Sequence, residues 1–391
     1  MAASKAGPEQ VEESRAIQEL VAKFVDRELM PLESAVLARE IRGERLALTA
    51  EEQAPLLKKC KALGLWALDV PKELGGADVS AVTLMGINEE LGRTVTPFVF
   101  PPESPNLHML LATVNDAQRR KYLEPYARGE IDAAIAISEP GAGGDPAAMT
   151  TRAEKDGDSW VINGRKIWIT RAAAEFSIVM ARTGSGKRHD GISAFIVDKG
   201  TPGFDVVREI PMLGGHRTHE IVFENCRIPE GNLLGKLGSG FAPMQLRLIV
   251  RRLQIGAWCI GMSRRALGMM SSYAKQRVTF GAPLADRQAI QWWVADAAIK
   301  IHACRLMLLD AASKLDQGQD VRIEASMVKV HGTEMASEVI DHAMQTFGAM
   351  GVTKELPLQF LAQKARIARV YEGPSEVHRM AIARKVLKDA P

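Results

Sequence analysis

A carboxylate near the C-terminus lies where a helix is interrupted. Glu372 belongs to VYEGPSEVHR, residues 370–379, in which Gly373 and Pro374 separate two helix-like stretches. A carboxylate held outside a helix can face a bound ligand and serve as a general base. The same ten residues also fit a helix break with a solvated glutamate, so the local pattern leaves both interpretations open.

A glycine-rich segment could bring bare backbone N–H groups close to an anion. SEPGAGGDP, residues 138–146, follows a strand-like stretch, which is a setting for phosphate binding. The segment matches neither the GxGxxG nor the Walker A pattern, and no helix obviously follows it. On its own, a plain loop is the favoured interpretation.

An aromatic ring and a hydroxyl group are predicted to lie side by side in GRKIWIT, residues 164–170. Trp168 and Thr170 are two apart on a predicted strand, so their side chains point to the same face. An aromatic plane beside a hydroxyl donor suits a flat cofactor with polar edges. The alternative is that Trp168 packs in the core.

Two further segments combine a helix end with chemistry-bearing residues. Arg277 lies in the last predicted turn of a long helix, where the helix dipole favours a cation. QTFGAMG, residues 345–351, interrupts another long helix with an aromatic, glycine-rich turn, which indicates a cap or a point of ligand approach.

Neither a metal site nor a disulfide framework is predicted. His216 and His219 have no third ligand at usable spacing, which favours a structural or surface role. The cysteines form no CxxC pair and indicate a reducing compartment. They are Cys60, Cys226, Cys259 and Cys304.

The elements that position these residues follow from hydrophobic periodicity. Apolar residues three and four apart predict an all-α domain over 1–132, and alternation predicts a central antiparallel β-domain over 133–236. The helical period then returns and predicts a C-terminal helical bundle over 237–391. The Asn163-Gly164 pair predicts a hairpin turn within the β-domain. The fold class is therefore α+β.

Charge and composition argue against nucleic acid and membranes as partners and indicate the cellular compartment. The 391 residues carry 50 basic and 47 acidic side chains, a net charge of +3, which provides no overall field for nucleic acid or anionic membranes. No run approaches the roughly 18 apolar residues of a membrane span. The acidic N-terminal segment lacks the apolar stretch of a signal peptide, so we expect a cytoplasmic protein.

Taken together and in this order, five segments resemble the acyl-CoA dehydrogenase family of FAD enzymes. The segments are SEPGAGGD, KIWIT, RVTFG, FGAMG and YEGPSE, and the likeness extends from GLWALDVPKELGG to the C-terminal helix. The resemblance implies a helical domain, a β-domain and a four-helix bundle, in agreement with the periodicity. The GPSEVHR motif is most similar to a branch whose members take long or branched acyl chains.

The resemblance also implies which residues bind FAD. Ile137, Ser138 and Gly143 would lie along the flavin, with Trp168 over one face and Thr170 near N5. A neighbouring subunit of a homo-oligomer, a dimer or tetramer, would supply contacts to the diphosphate and adenine half. Those residues are Arg277, Phe280, Gln288, Gln345 and Gly348, and Pro374, Ser375 and Glu376 are implied as further FAD contacts.

For Glu372 the resemblance implies the catalytic base. It would remove the α-proton of an acyl-CoA thioester while the β-hydrogen leaves as hydride to flavin N5, giving a trans-2-enoyl-CoA. We expect the pKa of this carboxyl to be raised by an apolar pocket that acyl chain and flavin close. The Glu372 backbone N–H would donate to the thioester oxygen. Electrons would pass to an electron-transfer flavoprotein.

Substrate contacts are implied for Gly144, Arg252, Gly373 and Arg384. Gly144 stands where many relatives have serine, and Ile249 stands where an aspartate often binds the adenine side of CoA. The isovaleryl-type base position is occupied by Arg251, which leaves Glu372. The alternatives are an acyl-CoA oxidase or flavin monooxygenase on the same fold, and a non-catalytic assembly or binding protein.

Overall fold

The N-terminal part of the chain is helical. The computed structural model describes residues 8–103, 105–184 and 188–390; residues 1–7 and 391, which fall in the two predicted end domains, lie outside them. Capping boxes begin two of these helices, at Thr49 with Glu52 and at Asn115 with Gln118. The α-helices here are α1 Pro8–Phe24, α2 Glu33–Ile41, α3 Ala50–Ala62, α4 Ala81–Leu91, α5 Leu107–Leu111, α6 Asp116–Gln118 and α7 Glu124–Ala127.

A mixed β-sheet occupies the middle of the chain. Its strands are β1 Ala133–Ala136, β2 Arg152–Asp156, β3 Ser159–Ile169, β4 Phe176–Arg182, β5 Ile192–Asp198, β6 Phe204–Pro211, β7 Arg217–Pro229 and β8 Leu233–Leu234. The order is β6-β7-β3-β2-β4-β5-β8, and β1 also pairs with β4. Most strand pairs are antiparallel, including β4 with β5, whereas β4 runs parallel to β1 and pairs in parallel with Arg152, the first residue of β2. The predicted central antiparallel β-domain is therefore confirmed for most of the sheet, and the parallel pairs of β4 with β1 and β2 are an addition to it.

The predicted hairpin at Asn163-Gly164 was wrong. Both residues lie inside β3, and the turn between β2 and β3 is at Gly157 instead. Gly164, with φ of 152°, marks a shift in the pairing of β3 with β7, and a Cβ there would lie 2.4 Å from Thr151 Oγ1. The glycine is needed for close packing within the sheet rather than for a turn.

The C-terminal part is again helical. Its helices are α8 Phe241–Gln276, α9 Gln288–Asp316, α10 Arg322–Phe347, α11 Leu358–Ala368 and α12 Ser375–Asp389. Between α8 and α9 lies a small hairpin of β9 Val278–Thr279 and β10 Ala282–Pro283. The helices α8, α9, α10 and α11 share one apolar core. The long helices agree with the predicted bundle, whereas α11 is a shorter additional helix.

The first turns of α8 lie where the three parts of the chain meet. Met244 and Leu248 pack in one apolar cluster with Leu107 and Leu110 of α5 and with the sheet residue Ile178. This apolar contact fixes the start of α8. Arg247, between these two residues, and Arg251, one turn further on, are therefore held where the three parts of the chain meet.

Candidate active site

Glu372 lies in a left-handed turn between α11 and α12. Its φ is 55°, and that of Gly373 is 96°. A Cβ at position 373 would lie 2.8 Å from Nε2 of His378, so both the backbone angle and the space require glycine. The turn therefore holds Glu372 outside any helix, as the sequence predicted.

The carbonyl groups of this turn are held from three helices. Arg252 of α8 donates from Nε to the Glu372 carbonyl at 3.1 Å, and His378 of α12 donates from Nε2 to the same oxygen at 3.2 Å. Lys329 of α10 donates to the carbonyl of Gly373. Burial, together with the nearby cations Arg252 and Lys329, lowers the pKa of His378 to about 4, so this imidazole is neutral at pH 7.

The N–H groups on the other side of the turn are left for a ligand. Among the described residues, neither Glu372 N nor Gly373 N donates to an acceptor of the protein. Because an N–H without a partner is costly unless water or ligand binds it, the turn presents a donor beside the carboxylate. Glu372 thus offers both an acceptor of protons and a hydrogen-bond donor.

The Glu372 carboxylate is paired with an arginine. Arg247 Nη1 donates to Oε1 at 2.6 Å, and its Nε lies 3.3 Å from Asn106 Oδ1. Burial by itself would raise the pKa of Glu372. The positive charges of Arg247, Arg251 and Arg252 outweigh burial and hold this pKa below its usual range. The expected raised pKa is therefore wrong for the protein by itself, because guanidinium groups rather than apolar side chains face the carboxylate.

A second carboxylate, Glu103, continues this charge cluster. Arg251 of α8 and Arg171, which follows β3, both pair with it. Burial alone would raise the pKa of Glu103, but the two guanidinium groups lower it to about 2. Arg251 also lies over the Trp258 ring at 5.3 Å. Glu103 is therefore ionised at neutral pH, and each of its two carboxylate oxygens is paired with an arginine.

His216 lies close to the same cluster rather than at a metal site. Its ring stacks on that of Tyr371 with centroids 6.0 Å apart. Burial lowers the pKa of His216, although the carboxylates of Glu103 and Glu372 act in the opposite direction. The described residues contain no group of three metal-ligating side chains.

The segment after β1 is joined to β3 by a buried ion pair. Lys166 Nζ donates to the Ile137 carbonyl and to Glu139 Oε1, both at 2.9 Å. Burial lowers the pKa of Lys166 to about 8, and burial of Glu139 is outweighed by Lys166, which lowers that pKa to about 2. Ile167 N also donates to the Ser138 carbonyl at 3.0 Å. These contacts fix the backbone of Ile137 and Ser138 against β3.

Trp168 lies near the end of β3 and Thr170 is the first residue after it, so the predicted common strand face is not formed as regular β-structure. Both side chains are nevertheless exposed, Trp168 to 50%, whereas Ile167 and Ile169 are buried. Trp168 also has a φ of 65°. The alternative of a tryptophan packed in the core is therefore wrong, and Trp168 directly follows Ile167, whose N–H binds the Ser138 carbonyl.

The glycine-rich segment approaches the start of α12. Gly143 and Gly144 are exposed, and a Cβ at Gly144 would lie 3.3 Å from Val377 and 3.8 Å from Pro374. Ser375 is buried at the first turn of α12, whereas Glu376 is exposed. Burial limits the access of a cofactor to the Ser375 side chain, whereas Glu376 is open to one. The predicted contacts of Ser375 and Glu376 with FAD stay predictions.

The residues assigned to a neighbouring subunit all lie on the surface. Phe280, at the tip of the β9–β10 hairpin, is 100% exposed with a φ of 49°. Arg277 is the residue after the end of α8 rather than part of its last turn. Arg277, Gln288, Gln345 and Gly348 are exposed as well. Arg384 is exposed, nine positions along α12 from Ser375, which is roughly 14 Å of helix.

Family models match almost the whole chain. The N-terminal domain of acyl-CoA dehydrogenases matches residues 11–130, the middle domain 134–226 and the C-terminal domain 238–387. The chain belongs to the acyl-CoA dehydrogenase family. It is accordingly an FAD-dependent oxidoreductase.

Individual relatives agree with this family over nearly their full length. The chain is 40% identical to (R)-benzylsuccinyl-CoA dehydrogenase of Thauera aromatica, with 97% of this chain and 96% of that protein covered. Butyryl-CoA dehydrogenase from Megasphaera elsdenii has a TM-score of 0.86 at 30% identity, covering 96% and 98%. A chain from a study of the electron-transferring flavoprotein of Acidaminococcus fermentans also has 0.86, at 32% identity, covering 97% and 98%.

The described residues fit FAD. Trp168 is exposed and follows Ile167, whose N–H holds the Ser138 backbone, and the exposed Gly143–Gly144 segment carries no side chain that would block close approach. An acyl-CoA dehydrogenase needs both a flat surface for the flavin and a base beside it. No described helix is long and apolar enough to cross a membrane.

Proposed function

We propose that this acyl-CoA dehydrogenase oxidises the α,β-bond of an acyl-CoA thioester with Glu372 as the base. The observation that supports the proposal is the left-handed turn, which places the Glu372 carboxylate and its unpaired backbone N–H on the same residue. The product would be a trans-2-enoyl-CoA.

Glu372 would remove the α-proton as its carboxylate. An ionised base requires that its pKa stay below the working pH, and the guanidinium groups around Glu372 ensure this before substrate binds. As Arg247 is drawn away or neutralised by the ligand, the carboxylate regains basicity. Arg252, Lys329 and His378 meanwhile keep the backbone in place.

The Glu372 N–H would stabilise the negative charge that develops on the thioester oxygen. A fixed backbone donor aimed at such an oxygen lowers the barrier because it needs no reorganisation during the reaction. Donors on the carbonyls of Glu372 and Gly373 fix the two peptide planes that follow the Glu372 Cα, so the turn that carries this N–H is anchored on its C-terminal side. Gly373 permits this arrangement through its positive φ.

FAD, when bound, would supply the hydride acceptor. The residues proposed to hold it from the same chain are Ile137, Ser138, Gly143, Trp168 and Thr170, with Pro374, Ser375 and Glu376. A second subunit would contribute Arg277, Phe280, Gln288, Gln345 and Gly348, whose exposure in the single chain supports a role in a homo-oligomer. Gly144, Arg252, Gly373 and Arg384 are proposed to contact the substrate.

An electron-transfer flavoprotein is the proposed electron acceptor. The structural similarity to a chain from the electron-transferring flavoprotein study supports this partner. A cytoplasmic location, a dimer or tetramer and a role in fatty acid oxidation remain predictions. The similarity to a benzylsuccinyl-CoA dehydrogenase supports a substrate outside straight-chain fatty acids.

Anaerobic bleaching of the flavin tests this function. Purified protein reconstituted with FAD would be mixed with a panel of acyl-CoA thioesters, and loss of the visible flavin absorbance would be followed. We expect bleaching by at least one thioester, with the enoyl-CoA as product. Rapid recovery of absorbance in air would indicate an oxidase instead, and protein that stays colourless with FAD would favour a non-catalytic role.

A further inference from the structure

Two buried arginines lie on one face of α8 beside the predicted base. Arg247 and Arg251 are four residues apart, so they project from the same side of the helix. They are only 8% and 9% exposed. A buried guanidinium is costly unless an anion and hydrogen bonds satisfy it, so each should have a dedicated partner.

The arginines of this cluster outnumber the carboxylates that pair with them. Four arginines surround the site, Arg171, Arg247, Arg251 and Arg252. They face the partly buried Glu103 and Glu372 and the exposed Asp132, which pairs with Arg171. Glu103 is already shared by Arg171 and Arg251. Among the described residues, Nη2 of Arg247 and Nη1 of Arg251 donate to no acceptor. The cluster therefore has capacity for one more anion.

During turnover the arginines of the cluster would lose one of the carboxylates that pair with them. Glu372 is a weaker base while its Oε1 stays in a 2.6 Å contact with Arg247, because that contact stabilises the ionised form. Once Glu372 turns to the substrate and takes up the proton, Arg247 is left without an anion. Breaking a buried pair in this way is strongly unfavourable unless another carboxylate replaces the first.

We propose that the substrate's acyl group carries a free carboxylate, which Arg247 and Arg251 bind as Glu372 is released. The inference rests on the proposed function and adds a substrate class to it. Because Arg247 contacts the very carboxylate that must reach the α-carbon, the substrate carboxylate lies within a few bonds of that carbon. The class is therefore the monothioester of a short dicarboxylic acid, substituted or not. Guanidinium groups suit this ligand because they bind carboxylates through paired N–H donors.

Arg247 is the cation that would exchange the Glu372 carboxylate for the substrate carboxylate, because the neighbouring cations have other partners. Arg252 and His378 are engaged by the Glu372 carbonyl, and Lys329 by that of Gly373. Arg251 keeps Glu103, and His216 lies buried against Tyr371. Among the described residues, Arg247 alone pairs with the Glu372 carboxylate, so binding of the substrate carboxylate and release of the base are one event.

The test compares acids with their neutral esters. Succinyl-CoA, 2-methylsuccinyl-CoA and glutaryl-CoA would each be paired with the thioester whose distal carboxyl is methylated, and butyryl-CoA would serve as the straight-chain reference. Anaerobic flavin bleaching gives kcat/KM for each. Calorimetric titration of the FAD-loaded Glu372→Gln variant gives the dissociation constant without turnover.

We expect at least one acid to exceed its ester at least about 100-fold, because a site built for a polar substrate group rejects an analogue that lacks it. Arg247→Gln should remove most of this preference, whereas Arg264→Gln, on the same helix but paired with Glu89 and Glu90, should retain it. The comparison on the wild-type enzyme does not depend on the folding of any variant.

The remaining outcomes separate the two proposals. Esters or butyryl-CoA that bleach the flavin as fast as every acid would overturn the carboxylate site and leave the dehydrogenase function standing. Acids that bind at least about 100-fold tighter than esters, yet bleach nothing, would retain the site and refute the function. Absence of both preference and bleaching would refute both.

Discussion

Nη1 of Arg247 and Oε1 of Glu372 are 2.6 Å apart, with 10% and 17% of their side chains exposed. The residue that the family resemblance indicates as the base is thus one half of an ion pair in the protein alone. Arg247 comes from the first turns of α8 and Glu372 from the turn before α12, so the pair also joins distant parts of the C-terminal domain.

Glu372→Gln should keep FAD and lose turnover. Glutamine preserves the size of the side chain but cannot accept the α-proton, and loss of a positioned base costs about 100-fold or more. Flavin absorbance of the purified variant and steady-state rates would be measured together. Glu338→Gln, which removes an exposed carboxylate paired with Lys300, is the matched control and should retain normal rates. Near-normal turnover in Glu372→Gln would place the base elsewhere.

Arg247→Gln should shift the acid limb of the pH profile for a neutral thioester such as butyryl-CoA. Glu372 is active when ionised, and Arg247 helps to hold its pKa below the ordinary value. Removing Arg247 raises this pKa, so kcat/KM falls at a higher pH than in the wild type. Arg251 and Arg252 remain, so the shift is partial. Arg264→Gln is the reference variant. If the acid limb of kcat/KM is the same in Arg247→Gln as in this reference, the Arg247–Glu372 ion pair does not set the pKa of the base.

Glu103→Gln should remove a stabilising contribution that depends on pH. The pKa of Glu103 in the folded protein, about 2, lies below the ordinary glutamate value of 4.5, so the contribution is complete above about pH 4.5 and is lost as pH falls toward 2. At neutral pH the variant should lose about 1–3 kcal/mol of the free energy of unfolding. Thermal unfolding midpoints of both proteins should converge between pH 4.5 and 2; a constant difference would contradict the assignment.

Gly373→Ala should disturb the turn that carries Glu372. The new Cβ would meet His378 Nε2 at 2.8 Å and would require a φ of 96°, which is strained for alanine. Displacement of the base by about 1 Å is sufficient for a loss on the order of 100-fold in turnover. Gly268→Ala, at an open position of α8, is the control and should have wild-type rates. Wild-type kinetics in Gly373→Ala would mean that the turn adapts.

Lys166→Met should destabilise the protein and weaken FAD binding. The substitution leaves Glu139 without its buried cation and releases the Ile137 carbonyl, and breaking such a pair costs about 3–5 kcal/mol. The double variant Lys166→Met with Glu139→Gln should recover part of the thermal stability, because the unpaired charge is then gone. Additive effects of the two substitutions would show that the residues do not interact.

Features with a local cause could be predicted from the sequence. Glu372 outside a helix followed from Gly373 and Pro374. Strand alternation did not describe Trp168 and Thr170, because Trp168 has a φ of 65° and Thr170 lies beyond the end of β3. The hairpin at Asn163-Gly164 failed because the same dipeptide also suits an irregularity within a strand, where Gly164 packs against Thr151. Local turn chemistry cannot distinguish these two settings.

The charge cluster was missed because no local pattern brings its members together. Arg247 is 125 positions from Glu372, and Arg251 is 148 positions from Glu103. Arg251 was noted only as a residue that cannot act as a base. The repeat of arginines at 247 and 251 on one helix face was the available signal, because charged residues at that spacing inside an otherwise apolar helix require buried partners.

The backbone and the side chain of Glu372 are held by different residues. Arg252, Lys329 and His378 fix the peptide groups of the turn, whereas Arg247 alone contacts the carboxylate among the described residues. Substrate preference can therefore evolve, or be engineered, through residues 247 and 251 while the position of the base is inherited unchanged. A library restricted to these two positions would vary the proposed carboxylate site while leaving the contacts to the backbone of the turn intact.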